Sequence, residues 1–375
     1  MTQSVSSNSI TSLVSSKLTG ALPAISGAAL TGVNAGVFSS TSDPTPTSNK
    51  TLGFIWANSV TGDLFNCTDA TANANVWINV GSGGFHIATA AFGGNGPGSV
   101  SGYSMGGNVY PTSPNSVNNI DKFSFSSNGN ATDVGDMSVI TDGAAPQSSS
   151  THGYASGSNG TKKIDKLSFS TDGNSSNIAD LTVNRNHPAG QSSHTHGYAT
   201  GGASLVIDKF AFASDADATN IGNFIHTEGG GGAGGQSSSS HGYVAGGYDA
   251  GASAKIGKFS FWGEVESVNV GNLTQSKEYN AGTSSSINGY TAGAYPATNV
   301  INKFSFSSDG NATDIGNLTV SRSHVGGQSS TASGYTSGGT GPSNVIDKFS
   351  FSSDGNATDV GNLTLNRYQV CGVQV

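Results

Sequence analysis

An internal repeat constrains the fold of this chain more than any other feature. A block of the form Ile-Asp-Lys-Phe-Ser-Phe recurs six times, at a spacing of about 45 residues. Its lysines are Lys122, Lys166, Lys209, Lys258, Lys303 and Lys348. A Gly-Tyr pair precedes each block, and a segment similar to 311–319 follows it. Because these landmarks stay in register, we interpret the repeat as the unit of folding.

Each repeat predicts four short strands and no helix. In the last repeat the third strand, 345–351, alternates, with Asp347, Phe349 and Phe351 on one side. Asp354 and Gly355 then form a tight-turn signal, because glycine accepts the positive φ that a hairpin turn requires. Apolar residues at helical spacing are lacking, so the chain is expected to be all-β.

One four-stranded sheet cannot bury both of its faces, but copies arranged radially bury each other. A four-stranded repeat of this length is typical of a β-propeller blade, with the phenylalanines between blades and the lysine heads in water. The strand 243–247, which ends in Gly-Gly, and the arginines Arg185, Arg322 and Arg367 resemble the kelch repeat. The tryptophan usual in the fourth kelch strand is absent. The resemblance covers about 85–375 and implies a fold, not an activity.

Two arrangements of the blades remain open. Residues 367–375 align with the first strand of a repeat that does not continue. This strand either completes the first blade, giving six blades, or joins three strands from 51–81 in a seventh. The expected organisation is therefore an extended N-terminal attachment segment at 1–50, a small β unit at 51–83 and a kelch-like propeller of six or seven four-stranded blades at 84–375.

The N-terminal region points to a virion. Segments 18–33 and 53–81 resemble parts of bacteriophage tail fibres, and the Lys-Phe-Ser-Phe-x-x-Asp-Gly-Asn repeats are similar to those of marine and cyanobacterial phage proteins. The resemblance implies a structural protein of a virion appendage, assembled in the host cytoplasm. It also implies attachment to other virion proteins through the N-terminus, and a homo-oligomer, with a trimer favoured. The alternative for 1–45 is a flexible low-complexity tail.

Composition argues against several other classes. The net charge is −8 with only three arginines, so no basic stripe is available for nucleic acid. Apolar runs are far shorter than the ~20 residues that span a bilayer, and no signal peptide is recognisable. Two cysteines, Cys67 and Cys371, do not make a disulfide framework.

Candidate chemical motifs are interpreted as structural. The segment 307–314 resembles a calcium loop or an Asp-box but lacks the closing ligands of either, so a hairpin turn is expected. His152, His196 and His241 occupy equivalent positions in different repeats and would be spread apart, which argues against a metal site. We therefore predict no catalytic residue, no metal and no cofactor. A glycan-processing enzyme is the alternative from another class.

Variation among the repeats predicts a binding face. The loops between strands two and three and the connections from strand four to the next repeat differ in every unit and should lie together. They contain the predicted site residues Tyr110, Tyr248, Tyr279, Tyr295, His187 and His226. Flat aromatic rings beside amides and hydroxyls suit carbohydrate, so we expect a host-surface glycan as ligand. The alternative is an adaptor of the tail, baseplate or neck that contacts other virion proteins.

Overall fold

A computed structural model describes residues 38–58, 64–81, 98–109, 116–224, 231–262, 265–341 and 343–375. The chain divides into two units, Met1–Ile87 and Ala88–Val375, which are described separately. Strands are the main regular elements of the described ranges, which contain no α-helix. Within these ranges, no helix has the length and apolarity needed to cross a membrane.

The first unit contains one small sheet. Its elements are β1 (Phe38–Ser40), a 3₁₀ turn (Pro46–Ser48), β2 (Ile55–Asn58), β3 (Leu64–Asp69) and β4 (Val76–Gly81). The strand order follows the sequence, with β1 parallel to β2 and the other pairs antiparallel. Trp56 and Trp77 pack edge-to-face with ring centroids 5.8 Å apart, and their indole nitrogens donate to backbone carbonyls of the segment 42–45.

The second unit contains six sheets, each built on four antiparallel strands, and one of them has a short fifth strand. Its strands are β5 (Ser101–Met105), β6 (Asn119–Ser124), β7 (Thr132–Asp136), β8 (Ala145–Ser148), β9 (His152–Ser158), β10 (Thr161–Ser168), β11 (Ser176–Arg185), β12 (Ala189–Ser192), β13 (His196–Thr200), β14 (Val206–Ala211), β15 (Thr219–Asn223), β16 (Gly234–Ser237), β17 (His241–Ala245), β18 (Ser253–Ser260), β19 (Val265–Glu266), β20 (Val268–Lys277), β21 (Ala281–Ser284), β22 (Asn288–Ala294), β23 (Thr298–Ser305), β24 (Thr313–Arg322), β25 (Gly326–Ser329), β26 (Ser333–Ser337), β27 (Val345–Ser350), β28 (Thr358–Asn362) and β29 (Cys371–Gln374).

Four sheets use four consecutive strands, sheet 4 skips β19, and sheet 1 is completed from the far end of the chain. Sheet 1 has the order β29-β5-β6-β7, and sheets 2 to 6 are β8–β11, β12–β15, β16–β18 with β20, β21–β24 and β25–β28. Strand β19 adds to β15 in parallel. In sheet 1, Cys371 lies opposite Met105 and Val373 opposite Tyr103. Strand β29 therefore pairs with a strand of the first repeat and not with β2, β3 or β4.

Aromatic stacking joins each sheet to the next. Within sheet 6, Phe349 lies opposite Gly334, where a Cβ would overlap its ring, so the glycine of the Gly-Tyr pair makes room for it. Sheet 6 also contacts the preceding sheet: Tyr290 of sheet 5 stacks on Phe351 of sheet 6, with ring centroids 4.7 Å apart. The same tyrosine-on-phenylalanine contact occurs at Tyr103–Phe169, Tyr154–Phe212, Tyr198–Phe261, Tyr243–Phe306 and Tyr335–Phe125. The last pair joins sheet 6 to sheet 1.

Hydrogen bonds between the first strands follow the same circular order. The amide of Ser148 in sheet 2 donates to Ser192 Oγ in sheet 3 at 3.2 Å. The amides of Ser192, Ser237 and Ser284 each donate to the equivalent serine of the following sheet at 3.0 Å. The amide of Gln374 in sheet 1 donates to Ser148 Oγ at 3.2 Å, which links sheet 1 to sheet 2.

Buried ion pairs explain the arginines that end two of the fourth strands, Arg185 and Arg322, and the one that follows β28, Arg367. Arg322 of sheet 5 is buried, and its Nη2 lies 2.9 Å from Oδ2 of buried Asp347 in sheet 6. The pairs Arg185–Asp208 and Arg367–Asp121 are equivalent, at 2.7 and 2.8 Å. Between sheets 4 and 5 the aspartate is replaced by Asn302 and the arginine by Lys277, whose ammonium donates to the carbonyl oxygen of Val300. Burial lowers the pKa of Lys277 to about 7.

The repeat lysines are more constrained than the sequence predicts. Instead of simply reaching water, Lys122, Lys166 and Lys258 each form an ion pair of 2.8–2.9 Å with an aspartate of the next sheet. Lys303 makes the equivalent pair with Asp354 of the turn after β27. The turn aspartates therefore serve a contact between sheets as well as the hairpin.

We predict that the two kinds of ion pair differ greatly in their contribution to stability. Asp347→Ala leaves the buried Arg322 guanidinium without its counter-charge and should lower the free energy of unfolding by about 3–5 kcal/mol. Asp354→Ala removes a carboxylate that is 56% exposed and should cost less than about 1 kcal/mol. Urea denaturation of both variants tests this, and equal losses would contradict it.

Candidate functional site

One face of the second unit brings the variable loops together. We call it the loop face: the loops between the second and third strands, and the connections from each fourth strand to the next sheet. Backbone bonds join the two sets: Tyr248 N donates to Gly231 O at 2.9 Å, and Tyr295 N donates to Glu278 O at 2.7 Å. Asn108 N donates likewise to Tyr368 O at 2.8 Å. The first-to-second and third-to-fourth turns form the turn face, where Phe261 N donates to Ser240 O.

A rim of six residues lies on the loop face, one just before each first strand. The rim residues are Gly143, His187, Gly232, Tyr279, His324 and Gln369. All six have φ between 53° and 71°, the left-handed region that favours glycine. Two positions are glycine, whereas the other four hold bulky side chains at an energetic cost of about 1–2 kcal/mol each. Strain of this kind persists where the side chain has another use.

Backbone hydrogen bonds fix the rim. Starting at His187, each rim carbonyl accepts from the amide of the next rim residue: Gly232, then Tyr279, His324, Gln369 and finally Gly143, over 2.5–2.8 Å. The rim residues thus have fixed separations, although they come from connections spread over more than two hundred residues of sequence.

The four rim side chains contact one another. The rings of Tyr279 and His324 stack with centroids 3.9 Å apart and planes inclined by 14°. His187 meets Tyr279 edge-to-face at 5.3 Å, and its Nε2 accepts a 2.6 Å hydrogen bond from the amide nitrogen of Gln369. Its Nδ1 therefore carries the proton in the neutral ring. The rim glycines leave room, because a Cβ at Gly143 or Gly232 would overlap His187 or Tyr279.

Below the rim is a cup of about 80 Å³. Its floor consists of second residues of first strands, among them Gly235, Gly282 and Gly327. These must be glycine, because a Cβ on Gly282 would overlap Gly235 O and one on Gly327 would overlap Gly282 O. Between floor and rim the wall is apolar, with Pro188, Val325 and Val370, except at Asn280.

Asn280 is the one wall position that carries an amide. The residue is 6% exposed, and its Nδ2 donates to Ala245 O at 3.2 Å. Its Oδ1 is buried and accepts no hydrogen bond within the described part of the chain. An acceptor in this condition is costly unless a donor reaches it.

The described lining of the cup is electrically neutral at pH 7. Among the residues that the structure describes, its lining contains no carboxylate, lysine or arginine. Burial lowers the pKa of His324 to about 4, assisted by repulsion from His187. Burial also lowers the pKa of His187, an effect that Asp142 opposes. Both imidazoles are therefore uncharged at neutral pH, and the cup suits an uncharged polar ligand.

The structure brings together only some of the residues predicted from the sequence. His187 and Tyr279 are rim residues. Tyr248 and Tyr295 are 45% and 53% exposed. Their backbone amides donate to residues 231 and 278, each of which directly precedes a rim residue in the sequence. Tyr110 and His226 lie outside the described residues.

Sequence reasoning missed His324, Gln369 and Asn280. Aligning the six repeats at the position two residues before each first strand could have found the rim residues. That position is glycine in two repeats and a bulky residue in the other four. The histidines His152, His196 and His241 instead lie on the turn face, each with its Nδ1 2.8 Å from the hydroxyl of the preceding residue. Across the described ranges, no three His, Cys, Asp or Glu side chains cluster as metal ligands would.

We predict that His324 makes stability fall as the pH is lowered. The unfolded chain takes up a proton at this side chain near pH 6.5, whereas the folded chain does so only near pH 4. Between these values the unfolded state binds more protons, so acid destabilises the fold. In His324→Asn, which keeps a residue that tolerates positive φ, the urea midpoint should fall less steeply from pH 7 to pH 4.5. Parallel curves for the two proteins would refute this assignment.

In comparisons with known proteins, no family model and no curated protein sequence matches the chain. Its functional interpretation therefore rests on the geometry of the rim, the cup and the loop face, together with the sequence resemblances.

Proposed function

We propose that residues 98–375 form a six-bladed, kelch-like β-propeller whose loop face binds a host-surface glycan, and that the protein is a non-enzymatic virion appendage. Six blades agree with the pairing of β29 to β5 and with the stacking of Tyr335 of sheet 6 on Phe125 of sheet 1. The virion assignment is supported by the tail-fibre resemblance of the N-terminal region. In this proposal the N-terminal region contacts other virion proteins in a homotrimer.

Two exposed tyrosines beside an uncharged aromatic rim are the observation that carries the binding proposal. Tyr248 and Tyr295 are held by backbone bonds to the connections that supply the rim residues Gly232 and Tyr279. A flat aromatic ring offers its face to the C–H groups of a sugar, and rigid strands hold such loops in place. The loop face therefore combines stacking surfaces with a central polar cup.

A binding role agrees with the chemistry of the cup better than an enzymatic one. Glycoside hydrolysis generally needs two carboxyl groups that flank the scissile bond. The lining formed by the described residues has none, and its two histidines contact Gln369 and Tyr279 rather than a nucleophile.

We expect removal of the tyrosines to weaken glycan binding. On an array of bacterial surface glycans, Tyr248→Ala and Tyr295→Ala should each reduce binding about threefold, and the double variant about tenfold, because each loses one stacking contact.

Trp262→Ala is the matched control. Trp262 is 68% exposed but lies on the turn face, so its removal should leave the glycan signal unchanged. Unchanged binding by the double tyrosine variant would overturn the stacking proposal. If the unaltered protein bound no glycan, the adaptor alternative would replace it.

A further inference from the structure

We infer that Lys277 is a pH-sensitive latch for the part of the loop face that carries Tyr248, Tyr279 and Tyr295. The protonated side chain favours local opening of the junction between sheets 4 and 5, and the neutral side chain keeps the junction closed. The inference concerns the fold of the loop face, so it goes beyond the proposed glycan binding and stands or fails independently of it.

Lys277 lies at a point to which all three tyrosines are attached. It is the last residue of β20 and lies two residues before the rim residue Tyr279. Its carbonyl oxygen accepts a 2.7 Å hydrogen bond from the amide of Gly247, which directly precedes Tyr248. The next residue along the chain forms two backbone hydrogen bonds with Tyr295, of 2.7 and 3.4 Å. A displacement of Lys277 therefore moves the attachment points of the three rings together.

The side chain of Lys277 is buried without a counter-charge. The residue is 0% exposed, and its ammonium nitrogen donates to the carbonyl oxygen of Val300 at 2.7 Å. Within the described part of the chain, it forms no ion pair with a carboxylate. The equivalent arginines each have a buried aspartate as partner, at 2.7–2.9 Å. A buried charge without a partner is costly, so the closed junction favours the uncharged amine.

Sheet 5 supplies neutral groups where a charge is needed. Asn302 replaces the aspartate of the buried ion pairs, and Thr291 lies directly opposite Asn302 in the neighbouring strand. Both are 0% exposed, and the Thr291 hydroxyl has no hydrogen-bond partner among the described residues. In sheet 6 the equivalent hydroxyl, that of Thr336, accepts a 3.0 Å hydrogen bond from Arg322. The junction between sheets 4 and 5 therefore lacks both the ion pair and this hydrogen bond.

Charged groups on the other surrounding elements do not replace the missing aspartate. Burial lowers the pKa of Lys277 from 10.5 to about 7, against the attraction of Asp314 of β24, which raises it. On β18, Lys255 is paired with Asp249. The carboxyl of Glu278, the next residue, has its own pKa raised by burial. In the closed junction the amine therefore changes its charge near neutral pH, whereas an open, hydrated amine does so only near pH 10.5.

Hydrogen exchange of the full-length protein at pH 7 and pH 9 tests the latch. When closing is faster than chemical exchange, the observed rate divided by the rate of an unprotected amide gives the opening constant. Between the two pKa values the open junction binds more protons than the closed one. The opening constant of the peptide around Gly247 should therefore be at least about tenfold larger at pH 7 than at pH 9.

The peptide around Gly339 is the matched control. The amide of Gly339 donates to the carbonyl oxygen of Arg367, which occupies the position of Lys277 in its own repeat but is paired with buried Asp121. Because arginine stays charged throughout this range, the opening constant around Gly339 should be the same at pH 7 and pH 9.

Two variants separate the charge of Lys277 from its packing. Lys277→Met keeps a long side chain without a charge, and Lys277→Arg combined with Asn302→Asp installs the pair found at Arg322–Asp347. Both should show the same opening constant around Gly247 at pH 7 and pH 9, because neither variant has a group at this position that titrates in the range. If Lys277→Met does not fold, the double variant decides in the same way.

Equal opening constants at the two pH values in the unaltered protein would overturn the inference. A tenfold difference that persists in a folded variant would also overturn it, because a group other than Lys277 would then be responsible. None of these measurements needs a glycan. Failure to bind one would therefore overturn the proposed function and leave the latch intact.

Discussion

The stacking of one tyrosine on the phenylalanines of the next sheet holds the second unit together. A four-stranded sheet of these glycine- and serine-rich strands has little apolar surface of its own, so its stability depends on neighbours that cover both faces. Each Gly-Tyr pair serves both sides of this contact. In sheet 6, Gly334 seats Phe349 of its own sheet, while Tyr335 reaches the phenylalanines of sheet 1. The buried Arg–Asp pairs add directional contacts at three of the six junctions.

The same geometry explains why a cup forms where the first strands meet. Glycines bring most of these strands so close that a Cβ at the floor of the cup would overlap the neighbouring backbone, and the chain must turn sharply to enter each strand. The turn needs positive φ, which glycine would supply at least cost. Tyr279, His324 and Gln369 occupy such turns at the expense of stability, and they converge with His187 over the cup. A scaffold built from repeats thus carries a site that no single repeat contains.

The sequence predicted the repeat period, the four strands of each unit and the position of the phenylalanines between sheets. These features depend on alternation within a strand and on the need to bury the apolar face of each sheet. Contacts between units were harder to predict. The Lys258–Asp309 and Arg322–Asp347 pairs join side chains that are neighbours only after the sheets stack. His187 and Tyr279 were recognised as loop residues, but their partners His324 and Gln369 were not, since the rim depends on comparing one position in all six repeats. The strand that pairs with β29 could not be predicted either, because the strand pattern is compatible with a partner in the first repeat or in residues 51–81.

The central claim, that the six sheets support each other in a circle, is tested most directly by removing residues 371–375 and measuring hydrogen exchange. Strand β29 both completes sheet 1 and bonds to Ser148 of sheet 2. Its loss should therefore accelerate exchange in all six sheets, including β13 and β17 in sheets 3 and 4, far from the deletion in chain order. Faster exchange confined to β5, β6 and β7, with sheets 3 and 4 still fully protected, would show that the sheets are independent neighbours and would contradict the account.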